Sequence, residues 1–171
     1  MINIESLLLL QDQNASAELL DKLSSDEDHF VRARVAAHIN TSAETLTQMA
    51  KDESHIVREF VAEHLSTPVE TLIALSEDEL IVSWVAGNPN TPLPILDKLS
   101  NSEDEFVRIS ISVNPNITIR ILEKLSKDVD ENVRAAVAKS PKTPRAILSI
   151  LHKDPNEAVR EVALENPNTP K

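Results

Sequence analysis

The chain has 171 residues, no cysteine and a single glycine, Gly87. Its aromatic side chains amount to Phe30, Phe60, Phe106 and Trp84. Without cysteine there is no disulfide, no thiolate-held iron–sulfur cluster and no thiol nucleophile. Sheets lean on aromatic and β-branched residues and on glycine in their tight turns, so these shortages argue for helices. Basic residues are scarce too, 17 against 28 acidic ones, for a net charge of −11. A chain that coats phosphates needs the opposite sign, which makes nucleic acid a poor partner and disfavours anionic membrane surfaces. Long apolar runs are missing. The opening "MINIESLLLLQDQN" has a short one with Glu5 inside it and no basic flank, neither a secretory signal nor a membrane span. A cytoplasmic protein is the simplest expectation.

Leu, Ala, Glu, Lys and Ile dominate what is present, good helix formers for the most part. They recur in register. Taking Val31 as position 1, equivalent starts fall at Val57, Ile81, Val107, Val133 and Val159, at spacings of 26, 24, 26, 26 and 26 residues. Position 2 is Arg32, Arg58, Arg108, Arg134 and Arg160, with Val82 in the remaining copy. Position 5 is Val, Ile or Ala, position 6 is mostly Ala or Ser, and positions 8 to 12 run from "HINTS" through "NPNTP" to "SPKTP". Leucine or Met fills positions 16 and 19, and a polar, acidic run closes each unit.

Spacing turns this pattern into structure. Positions 1, 4, 5 and 8 share a face of a short first helix. Pro at position 9 ends that helix by biasing the residue before it away from helical geometry. Thr at position 11 followed by Pro suits the cap and first residue of a second helix, whose stripe is positions 15, 16 and 19. Thr41–Glu44 and Thr67–Glu70 have capping-box spacing. Neither helix buries its stripe alone, so units must stack into a solenoid. The expected units are 31–56, 57–80, 81–106, 107–132 and 133–158, after a degenerate unit or cap at 1–30 and before a truncated one at 159–171, all within one repeat domain 1–171.

"VRAAVAKSPKTPRAILSILHKD" and "VAGNPNTPLPILDKLSNSED" resemble the leucine-rich repeat variant family, whose units follow V-R-x-x-V-A-x-N-P-x-T-P-x-x-L-L-x-x-L-x-x-D. The likeness covers about residues 15–171. It implies an all-α, right-handed superhelix of helix pairs, the pair being α/α or α/3₁₀. The family's iron–sulfur cluster belongs to a cysteine-rich segment with no match here, so no cofactor is expected.

Several features have two readings. The position-2 arginines each follow an acidic loop, so guanidinium bonds to those carboxylates or to loop carbonyls would pin units together; alternatively they form a cationic row that reads an acidic partner. The acidic loops lack the glycine turn of calcium loops and read as a solvated edge, or as an attraction for a basic partner. His29 and His55 share one register position and His38 and His64 another; a metal bridge is a weak case beside local capping hydrogen bonds. Trp84 and Gly87 break the pattern. Trp84, at the position of Phe60, reads as a buried wedge, and Gly87 as a place where a neighbouring backbone comes close. The other reading makes Trp84 an interface anchor beside an opened pocket.

No phosphate loop, nucleophile elbow or metal constellation is present, and repeated carboxylates do not converge on a site. The sequence therefore points to a non-enzymatic scaffold binding a protein or peptide. Exposed positions 3 and 7 are the candidate contacts: Glu59, Glu63, Ser83, Gly87, Ile109, Val113, Ala135 and Lys139, with Trp84. The alternatives are a nucleic-acid-binding repeat protein or enzyme using the arginine row, and an assembly subunit that self-associates through the face left open at the truncated C-terminal end.

Overall fold

A computed structural model of the chain describes residues 4–169. Among them every helix is α and no strand occurs. The part of the predicted N-terminal cap at residues 1–3 and the last two residues of "NPNTPK" lie outside the described range. The chain divides into two compact units, Met1–Asn90 and Thr91–Lys171. The first contains α1 (Ile4–Leu9), α2 (Ala17–Leu23), α3 (His29–Ala36), α4 (Ala43–Met49), α5 (His55–Glu63), α6 (Val69–Leu75) and α7 (Val82–Gly87). The second contains α8 (Leu93–Leu99), α9 (Glu105–Val113), α10 (Ile119–Leu125), α11 (Glu131–Lys139), α12 (Arg145–Leu151) and α13 (Glu157–Glu165).

Within each unit first helices stack side by side, α3 on α5 on α7 and α9 on α11 on α13. Second helices close the layer behind them. The apolar register predicts the core well: Val31, Val35, Leu46, Val57, Val61, Leu72, Ile81 and Val85 are fully buried in the first unit. Val107, Ile111, Leu122, Val133, Val137, Leu148 and Val159 are their counterparts in the second.

Position 4 does not behave as its spacing predicts. Trp84 is 40% exposed and Phe60 only half-buried, so Trp84 is no buried wedge. The inward position is 6 instead, where Ala36, Ala62, Ala86, Ser112 and Ala138 are completely buried. Side-by-side stacking of first helices brings their backbones close, which suits a small residue at this wholly buried position. Gly87 likewise admits no close approach: a Cβ added there would meet nothing within 4 Å.

Position 11 has a different task from the predicted cap. Thr41, Thr67 and Thr143 donate their hydroxyls back to the position-5 carbonyls of Val35, Val61 and Val137, each at 2.5 Å. The second helix starts one residue later, its N-cap being Ser42, Pro68, Pro92, Thr118 or Pro144. Ser42 accepts from the Thr45 amide, which replaces the predicted box at Thr41–Glu44. The threonine thus adds a second donor to a carbonyl that already accepts the position-8 amide of His38, His64 or Ser140, locking the turn that ends the first helix.

Candidate functional site

Two polar ladders occupy the repeat register, and their geometry decides which side chains remain for a partner. In the first, Arg32 forks onto Asp52, with Nε and Nη2 at 2.7 and 2.9 Å from the two carboxylate oxygens. Its Nη1 donates to the backbone carbonyls of Asp26 and Glu27. Arg108 with Asp128 and Arg134 with Asp154 repeat the fork, and Arg58 reaches Asp78 through Nε at 2.7 Å. Arg160 donates to the carbonyls of Asp154 and Pro155. The loop before each arginine therefore supplies carbonyls, while for Arg32, Arg58, Arg108 and Arg134 the carboxylate comes from the loop twenty residues later.

The same aspartates also accept the amide two residues on, as Asp52 does from Ser54 and Asp154 from Asn156. Hydrogen bonds to the charged form favour it. The Arg134 fork and then the Asn156 amide hold Asp154 below the usual carboxylate range, against its burial. Burial pushes Asp52 and Asp128 up, but their arginines and backbone amides outweigh it and both end lower. The hydrogen bonds to these carboxylates raise Arg32, Arg108 and Arg134 in turn. One rung is different: position 2 is Val82, and the residue twenty further on is Ser102. Both charges of that rung are absent together, so neither is left as a lone buried ion.

The second ladder explains the Asn-Pro-Asn formula. Asn88 donates from Nδ2 to the carbonyls of Ala62 and His64 and accepts the Asn90 amide on Oδ1. Asn90 then donates to Leu65 O. In the second unit Asn166 bonds Ala138 O and Ser140 O, and Asn168 bonds Pro141 O. Where position 8 is histidine, the ring does the same work. Nδ1 of His38 and His64 accepts the amide two residues on, and Nε2–H donates to Asp12 O and His38 O. Among the described residues no group of three or more metal-ligating side chains comes together.

With the ladders turned inward, the outer face of the first helices carries positions 0, 3, 4 and 7. All four aromatic residues of the chain stand there. Phe30 is 49%, Trp84 40% and Phe106 65% exposed, and Phe60 is half-buried against the core. Of the predicted contacts, Glu63, Gly87, Val113 and Lys139 at position 7 are exposed, whereas Glu59, Ser83, Ile109 and Ala135 at position 3 are half-buried. Trp84, the one aromatic among the predicted contacts, stands at position 4 with Phe60, and Phe30 and Phe106 add position 0, so aromatic residues recur at two outward positions.

In the first unit this face has relief. Leu7, Phe30, Ala33, Arg34, Ile56 and Phe60 line a groove of about 480 Å³. Beyond Phe60 lies a hollow of about 330 Å³ among Ala37, Ile39, Glu63, His64 and Leu65. Ile39 and Leu65, 76% and 68% exposed, occupy position 9, which is proline in the later copies.

The helices, the stacked pairs and the two ladders define an all-α helical-repeat scaffold. No family model matches the chain, and no curated protein matches it. Among solved structures it is similar to a leucine-rich repeat variant, described as having a novel repetitive structural motif. The TM-score is 0.70 at 26% sequence identity, over 92% of this chain and 64% of that one. The chain thus spans just under two thirds of that structure's length. No helix among the described residues is long and apolar enough to cross a membrane.

Proposed function

We propose that this protein is a non-enzymatic cytoplasmic scaffold that binds a protein or peptide through the outer face of its first helices, with Phe30, Phe60 and Trp84 as anchors. One observation carries this reading: a chain with only four aromatic side chains places every one at an outward position of a first helix, three of them in the first unit, and Phe30, Trp84 and Phe106 are exposed by 40% or more. Exposed clusters of this kind mark interaction sites, and aromatic anchors dominate interface energetics. The arginine row favours no nucleic acid, because Arg32, Arg58, Arg108 and Arg134 already hold aspartates.

The test is co-precipitation from the native cell extract with the wild-type protein and with a Phe30→Ser/Trp84→Ser variant of unchanged circular dichroism. A protein retained by the first and lost from the second supports the reading. Its binding should also shield Trp84, the single tryptophan, from acrylamide quenching. Equal retention by both proteins moves the binding surface elsewhere. A concentration-dependent mass with no partner retained points to self-association, including association through the C-terminal end.

A further inference from the structure

We infer that the first unit's groove takes a basic, amphipathic segment of a partner protein, one whose apolar side chains enter beside Phe60 while its lysines or arginines meet the carboxylates around it. This rests on the binding face proposed above and adds the chemistry of its occupant. Phe60 separates two different hollows. On one side the groove walls are apolar, Arg34 lending its methylene stem. On the other, Glu63 stands among Ile39, Leu65 and Ala37. Glu59 and Glu63 lie one helical turn apart on α5, on either side of Phe60 in sequence. An occupant that fills both hollows therefore meets carbon first and carboxylate next.

Charge fixes the sign of the occupant. Met1–Asn90 holds 16 acidic and 5 basic residues, the whole of the chain's net charge of −11, while Thr91–Lys171 holds 12 of each. Arg32 and Arg58 are committed to Asp52 and Asp78, which leaves Lys22, Arg34 and Lys51 as the other cations of the first unit. A surface of one sign attracts its opposite and repels its like. An acidic segment would be repelled, and a neutral one would gain only the groove. A basic amphipathic helix gains both, presenting its anchors at helical spacing.

The test uses the full chain and dye-labelled synthetic peptides of about five helical turns: one of leucine and lysine in amphipathic order, one with glutamate for every lysine, and one with the leucine–lysine order scrambled. Fluorescence anisotropy reads the binding. The amphipathic leucine–lysine peptide should bind best and weaken with added salt. It should lose about tenfold or more in affinity on Phe30→Ser/Phe60→Ser, in keeping with the loss of aromatic anchors. Two exposed substitutions guard against misfolding of that variant: Arg34→Glu should tighten binding and Glu63→Lys should loosen it. If the glutamate peptide binds as well and is lost with Phe30 and Phe60, the face is a binding surface and the basic occupant is wrong. If the leucine–lysine peptide binds no better than its scramble, or ignores the phenylalanine and Glu63 changes, the groove assignment is overturned.

Discussion

The first unit, Met1–Asn90, and the second, Thr91–Lys171, follow one plan inside and diverge outside. Inside, each has Val or Ile at position 1, Val, Ile or Ala at position 5, Leu or Met at 16 and 19, and two arginine–aspartate pairs at 2.7 Å. Outside, the first unit carries all the net charge, three of the four aromatics, and the exposed Ile39 and Leu65 where the second has Pro115, Pro141 and Pro167. Architecture restricts only the inward positions, because a repeat must match the next repeat wherever they touch. The outward positions are free to differ, and only the first unit has used that freedom to gather aromatics with acid.

Breaking a ladder rung should have the largest effect, and in both units. Arg134→Ala leaves Asp154, whose side chain is 5% exposed, buried without its cation, and Arg32→Ala does the same to Asp52 at 8%. Removing one partner of a buried pair costs about 3 to 5 kcal/mol. Denaturant melts should show that loss for each, with hydrogen exchange accelerating in the unit that was changed. An unaltered melting temperature for Arg134→Ala would remove the ladder from the stability of the fold.

Acid should separate the units by a smaller margin. Asp52, Asp128 and Asp154 sit lower in the folded chain than the usual carboxylate range. Stability from a depressed carboxylate is fully present above the unfolded value, about pH 4, and is lost as pH falls through the folded one. Two of the three lie in the second unit, which has no net charge to shed. Protonation in the first unit also relieves self-repulsion among its acidic residues, an opposing gain. Below about pH 4 the helical signal of the second unit should therefore decline before Trp84 fluorescence, which reports on the first unit alone. Simultaneous loss of both signals would erase the distinction.

What the sequence disclosed was whatever repeats with burial. Val31, Val57, Leu72 and Leu148 were legible because an apolar residue every twenty-six has no other cause than a core. The arginine ladder was half legible. Adjacency ties Arg134 to the acids just before it, whereas its carboxylate is Asp154, brought near only by stacking. Trp84 misled because large aromatics are so often buried; alanine at position 6 is a fainter sign of the inward face than an aromatic at position 4. Gly87 implied a backbone contact, but open space surrounds it. The proposed binding face is legible as positions 3 and 7 and Trp84, whereas Phe30, Phe60 and Phe106 take their meaning only from where the fold turns them.

The smallest effect sharpens the account of the ladders by holding distance nearly constant and changing burial. Arg120 meets Asp97 at 2.5 Å, as close as any rung, but the two side chains are 73% and 46% exposed. Water already solvates both ions there, so pairing recovers little and removing the arginine strands no buried charge. Arg120→Ala should therefore cost about 0.2 to 1 kcal/mol, the range of exposed pairs, and less still as salt is added. Measured beside Arg134→Ala in the same unit, it asks whether the second unit is held by proximity of opposite charges or by their burial. A cost equal to that of Arg134→Ala would assign the ladder's strength to distance alone. A small one leaves burial, and the backbone carbonyls bonded to Nη1 of Arg134, as what makes a rung structural.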